Sequence, residues 1–217
     1  MMTVKKRLNQ IRSPKQCSVK NVRIHAAVCL AAGIALGVIS KWLDDLALDS
    51  AIPWHRWIEA LDLGNFFSDI AIWLLLALII AVFSPSAMRA ALNVFIFFVG
   101  MCGAYHIYTI VFSGFNPSSY MMIWYGITLF SPIPAVLCWY AKGTGMLSIL
   151  LDSLIFAVFF PACFSFGFFY IDLKGILYLP VFFGAAAVLF NNSRQLMISL
   201  PAGIILAFIA NPFWPFR

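Results

Sequence analysis

Few side chains in this sequence could do chemistry, and the most telling of them is an acid set inside oil. Asp152 lies seven residues into the apolar run Gly145–Phe168, about 10 Å along a helix. An ionised carboxylate at that depth costs roughly 2.5–3.5 kcal/mol on insertion scales, so it must be paired, hydrated or protonated. The preceding run, Tyr120–Tyr140, contains Ser131–Pro132–Ile133–Pro134. Its prolines remove two backbone donors and free carbonyls about one turn upstream, near Thr128 and Phe130. Pro201 does the same in the last run. Asp152, with Ser131, Thr128 and the carbonyls loosened by Pro132 and Pro134, therefore makes a candidate midplane site for a proton, a cation, an amine or another small solute. The competing reading has Asp152 protonated, or bonded to Ser131 or Asn93, and cementing helices together.

A second polar pair is expected toward the opposite face. Asp69 and His106, the latter near Tyr105 and Tyr108, lie at comparable depth in neighbouring runs. A hydrogen bond between them would raise the imidazole pKa and let the pair relay protons; otherwise His106 is satisfied by water or a neighbour. Other chemistry finds little support. The three histidines, His25, His55 and His106, form no HExxH motif, and no Walker, GxGxxG or GxSxG motif occurs. The five cysteines, Cys17, Cys29, Cys102, Cys138 and Cys163, show no zinc-ligand spacing. With no nucleophile beside an acid/base pair, neither catalysis nor a metal or cofactor is expected.

The elements that must position these residues are membrane helices. Of 217 residues, 63% are hydrophobic and 10% charged, against about 45–50% and 25% in soluble domains. The expected fold is an all-α polytopic bundle of about seven spans: His25–Leu43, Phe66–Ser84, Arg89–Phe112, Tyr120–Tyr140, Gly145–Phe168, Ile176–Phe190 and Leu196–Phe213. The sixth is short, so the count falls to six if the last two segments are tilted or re-entrant. Residues 1–24 read as a basic cytoplasmic tail and 25–217 as one bundle. Seven bases (Lys5, Lys6, Arg7, Arg12, Lys15, Lys20 and Arg23) precede the first run with no acid among them. They suit anionic lipid better than nucleic acid, since no aromatics are interleaved.

Charge placement predicts the orientation. With the N-terminus inside, Arg89, Lys142 and Arg194 fall in inner loops, whereas Asp44, Asp45, Asp49, Glu59, Asp62 and Asp172 fall outside with Lys41, Arg56, Lys174 and Arg217. Cytoplasmic loops carry the excess of bases, so the C-terminus is expected outside a plasma membrane, with compact loops suggesting a bacterial one. Between the first two runs, Pro53 opens a short amphipathic helix ending at Gly64. Trp54, Trp57, Ile58 and Leu61 share one face, and His55, Glu59 and Asp62 the other. It should lie flat at the outer interface, as an anchor or a lid.

The first run also carries small residues at four-residue steps: Ala27, Ala31 and Ala35 on one face, Gly33 and Gly37 on another. Such faces let helix backbones approach closely, whether a separate membrane protein or another run such as Gly100–Ala104 is the partner. In size, layout and this alanine-stepped helix the chain resembles the substrate-binding S subunits of energy-coupling-factor importers, which are small, multi-span and without their own ATPase. The resemblance implies a transporter subunit, but departs in favouring seven spans and matches no ligand-binding residue. Two functions follow as expectations: handling of a small solute or ion through Asp152, or non-catalytic assembly with another membrane protein through the first span.

Overall fold

The computed structural model describes residues 10–49 and 51–211. Lys5, Lys6, Arg7, Phe213 and Arg217 lie outside them. The chain is all-helical, 78% helix and 3% strand. In order come α1 (Val19–Asp45), α2 (Pro53–Ala60), α3 (Leu63–Ser68), α4 (Ile70–Phe83), α5 (Ala87–Tyr108) with a π-helical extension over Thr109–Ser113, α6 (Ser118–Phe130), α7 (Pro132–Ala141), α8 (Met146–Cys163), the hairpin β1 (Phe164–Phe166) and β2 (Ile171–Leu173), α9 (Tyr178–Leu189) and α10 (Ser193–Ala210). Side-chain caps set several starts. Asp69, Ser86 and Asn192 accept from the first-turn N–H groups of Ile70, Arg89 and Gln195, donors that a helix cannot satisfy internally.

Among the described residues, four helices are long and apolar enough to cross a membrane: α1, α5 with its extension, α8 and α10. A fifth is added if the bent pair α6–α7 is one span. The expected count of seven is therefore not supported by helix length, and the reasons are local. The run Phe66–Ser84 is interrupted where Asp69 leaves α3 in an extended conformation to cap α4. What remains is 14 residues, about 21 Å, short of a core about 30 Å thick. The sixth run contracts to the 12 residues of α9. The fifth does not continue to Phe168: α8 stops at Cys163, and the chain reverses through an antiparallel hairpin pairing Phe164 with Leu173 and Phe166 with Ile171. The fourth bends by 49° between Phe130 and Pro132, where proline cannot donate to the preceding turn.

Two hydrophobic clusters share α4. One gathers Phe156, Phe160 and Phe182 from α8 and α9 with Leu78 and Val82 of α4. The other packs Trp73 and Ala81 of α4 against Phe97, Trp124 and Trp139. On the outside, α1 lies along α5 through its glycines. A Cβ on Gly33 would overlap the Phe97 carbonyl and one on Gly37 the Met101 carbonyl, while a Cβ on Gly100 would approach the Leu30 carbonyl to 2.8 Å. Ala27, Ala31 and Ala35 face away and are exposed.

The short helix α2 ends earlier than expected. Asp62 takes the left-handed conformation, φ 49°, one that Asp tolerates better than most residues. His55 is buried and accepts from the Asp49 N–H at 2.8 Å, whereas Glu59 and Asp62 of the same face, like Trp54 and Trp57 of the other, are exposed.

Bases and acids gather at opposite ends of the bundle. At the basic end, the Arg12 guanidinium donates to the Trp139 carbonyl at 2.7 Å and the Val82 carbonyl at 2.8 Å, and lies 4.5 Å over the Trp139 ring. Lys142 Nζ donates to the carbonyls of Val188 and Phe190 at 2.7 and 2.6 Å. Both cations thus sit on the last carbonyls of helices α4, α7 and α9, where the helix dipole favours positive charge. Burial pulls the pKa of each below its ordinary value. Residues 10–18 are accordingly not a free tail, because backbone bonds join Thr144 to Ile11 and Lys15 to Pro85. At the acidic end, Asp44 accepts from Ser68 and Tyr105, both at 2.7 Å. Asp45 pairs with Lys41 at 2.6 Å and accepts from Ser113 at 2.5 Å.

Candidate functional site

Asp152 is one of the most deeply buried side chains, 1% exposed. The first helical turns of α8 carry it inward from the basic end, on the face that meets α10. Its partner comes from that helix: Gln195 Nε2 donates to Asp152 Oδ2 at 2.6 Å and to Ser148 Oγ at 3.0 Å. Ser148, one turn before Asp152, donates in turn to the carbonyls of Ala141 and Gly143. Asn191 Nδ2 reaches the same Gly143 carbonyl at 2.7 Å. The result is a chain of polar groups running from the α7–α8 turn to the carboxylate.

Two atoms in this seam have no hydrogen-bond partner among the described residues, Asp152 Oδ1 and Ser199 Oγ. Ser199 follows Gln195 by one turn on α10. Gly203, a further turn on, is so close to α8 that a Cβ there would sit 2.7 Å from the Ser153 carbonyl. The two helices run side by side in the same direction, so Ser199 lies level with Asp152–Ser153. Lys142 is the nearby base whose charge acts on Asp152.

The residues expected to face Asp152 do not. Ser131 Oγ donates to the Thr128 carbonyl at 2.8 Å, and Thr128 Oγ1 to the Trp124 carbonyl at 2.8 Å. These two hydroxyls bond carbonyls of their own helix, and Thr128 Oγ1 also lies 3.2 Å from Cys102 Sγ of α5. Asn93 is likewise bonded elsewhere, to Ser84 at 3.0 Å. Ser131 and Pro134 instead line an apolar cavity of about 370 Å³, formed where the α6–α7 bend opens a gap against α4, α5 and α8; Asp152 does not line it. A carboxylate facing proline-loosened carbonyls is therefore not what the fold builds. Sequence reasoning missed Gln195 because an amide three residues beyond Asn192 reads as the polar edge of a span. A clue was available, since Gln195 and Ser199 fall one turn apart on one face, as do Ser148 and Asp152.

The chain matches no family model, no curated protein and no solved structure. The likeness to importer S subunits thus rests on layout and alanine spacing alone.

The second expected pair is also not assembled. Asp69 caps Ile70 at 2.6 Å and lies 3.8 Å from Lys174 Nζ. His106 bonds Tyr125 through Nδ1, and Asn116 through Nε2 at 2.8 Å. The register of α5 turns His106 toward α6, whereas Asp69 faces the β2 side. Among the described residues no group of three or more His, Cys, Asp or Glu is placed to hold a metal ion.

Proposed function

We propose that the protein is a non-catalytic multi-pass membrane protein that handles a small ion, the proton, at Asp152. One observation carries this reading: a carboxyl 1% exposed, held by Gln195 through one oxygen while the other has no partner among the described residues. An ionised carboxylate with a bare oxygen in low dielectric is expensive, whereas the neutral acid needs only one acceptor for its hydrogen. Any solute with volume of its own needs a pocket, and the cavity beside the bend does not reach this carboxyl. A proton needs none. Ser199 Oγ, unpartnered at the same level, is the natural acceptor for a hydrogen on Oδ1 once small motions bring the two together. Basic residues at the Arg12–Lys142 end support an inward orientation of that end, in a bacterial plasma membrane, with Asp152 opening toward the cytoplasmic side.

The test is Asp152→Asn in the purified full chain. Infrared difference spectra taken across a pH titration should contain a carboxylic-acid C=O band that disappears in the variant, and proton flux into proteoliposomes should fall to the protein-free level. Flux that persists in Asp152→Asn removes the residue from the path. The second reading, a non-catalytic accessory protein that assembles with another membrane protein through its first span, is favoured by the exposure of Ala27, Ala31 and Ala35 beside the consumed Gly33 and Gly37. Under it, Ala31→Leu breaks a co-purifying membrane complex and Asp152→Asn leaves it whole.

A further inference from the structure

The cavity at the α6–α7 bend has a floor and a mouth of different character. Its floor reaches the bundle interior at Leu78, Val94 and Phe98, all buried. At its mouth, Phe130, Leu154 and Val158 are exposed, the first by 64%. These three belong to the end of α6 and to α8 well inside its length, so the mouth opens sideways, at hydrocarbon depth, and not toward either polar end. The hydroxyl of Ser131, set in the wall, already donates to the Thr128 carbonyl. A ligand that needs a hydrogen-bond donor would therefore lose its water without gaining one there. The bend that opens the gap is built into the covalent chain by Pro132 and Pro134, so the cavity is formed before anything enters it.

We propose that this cavity binds one acyl chain of a membrane phospholipid, inserted laterally between the α6–α7 bend and α8, with the headgroup remaining in the bilayer. The site is independent of Asp152, and its occupant is specified by the depth of the mouth and the apolar wall. A chain seated against Val94 and Phe98 is held by protein on several sides, and so exchanges more slowly than lipid on the outer surface. It also props the bent pair against α8.

The experiment uses the purified full chain, exhaustively washed in detergent, with phospholipid counted after extraction and by native mass spectrometry. Wild type should retain about one phospholipid per chain, as a preformed apolar pocket implies. Leu154→Trp and Val158→Trp, which crowd the mouth from exposed positions and should leave folding intact, should reduce this to near zero. Ala31→Trp, on the lipid-facing side of α1, should not. Circular dichroism verifies the fold of each. A wild type stripped of lipid as readily as the mouth variants overturns the proposal, and so does equal retention in all four proteins. Loss in Ala31→Trp as well would show annular lipid only.

Discussion

At the scale of single residues, the buried polar seam separates what a side chain is from what it meets. An acid in an apolar run announces that something polar faces it, and Asp152 was legible for that reason. Its partner was not, because Gln195 is 43 residues away and belongs to a helix whose packing the linear order leaves open. Gln195→Leu removes the only donor that Asp152 has among the described residues. We expect it to destabilise the chain by about 1–3 kcal/mol, the cost of stranding a buried acceptor. In thermal unfolding in detergent, the double variant with Asp152→Leu should lose less than the sum of the single changes, because removing both partners leaves neither member of the pair stranded. Additive losses would mean that the two side chains do not act as a pair. Asp69 and His106 illustrate the converse. Matching depth brought them together on paper, but depth says nothing about rotation about the helix axis, and each is turned to a different neighbour.

At the scale of elements, the small residues of α1 divide into two roles that spacing alone does not distinguish. Gly33 and Gly37 carry no side chain because the α5 backbone occupies that volume, whereas Ala27, Ala31 and Ala35 face outward. Gly33→Ala should therefore cost about 1–3 kcal/mol, the range for overpacking a tight contact. Ala31→Leu should change stability by less than about 0.5 kcal/mol, as at other surface positions. Unfolding midpoints in the same detergent compare them, and equal losses would place both faces in contact with protein. Helix breaks were similarly half visible. Pro132 and Pro134 marked a bend, but the stop at Asp69 and the hairpin after Cys163 arise where a cap and a strand pairing outcompete continuation of an apolar helix.

For the whole molecule, segregation of charge to two ends is the feature with a direct experimental reading. Arg194 is exposed at the basic end and Glu59 on α2 at the acidic end. Arg194→Cys should react with a membrane-impermeant maleimide only after permeabilisation, and Glu59→Cys in intact cells. The reverse pattern would invert the orientation. Composition and run length by themselves determined that the chain is built of apolar helices, because a backbone in hydrocarbon must satisfy its own hydrogen bonds. They also determined where charges gather along it. Only tertiary structure decided how long each helix is, which face of α1 is consumed, that Arg12 and Lys142 close helix ends, and that Asp152 meets α10 while the proline bend opens on a cavity elsewhere. These depend on rotation and register between helices distant in sequence, and in a chain apolar on nearly every face periodicity has too little contrast to reveal them.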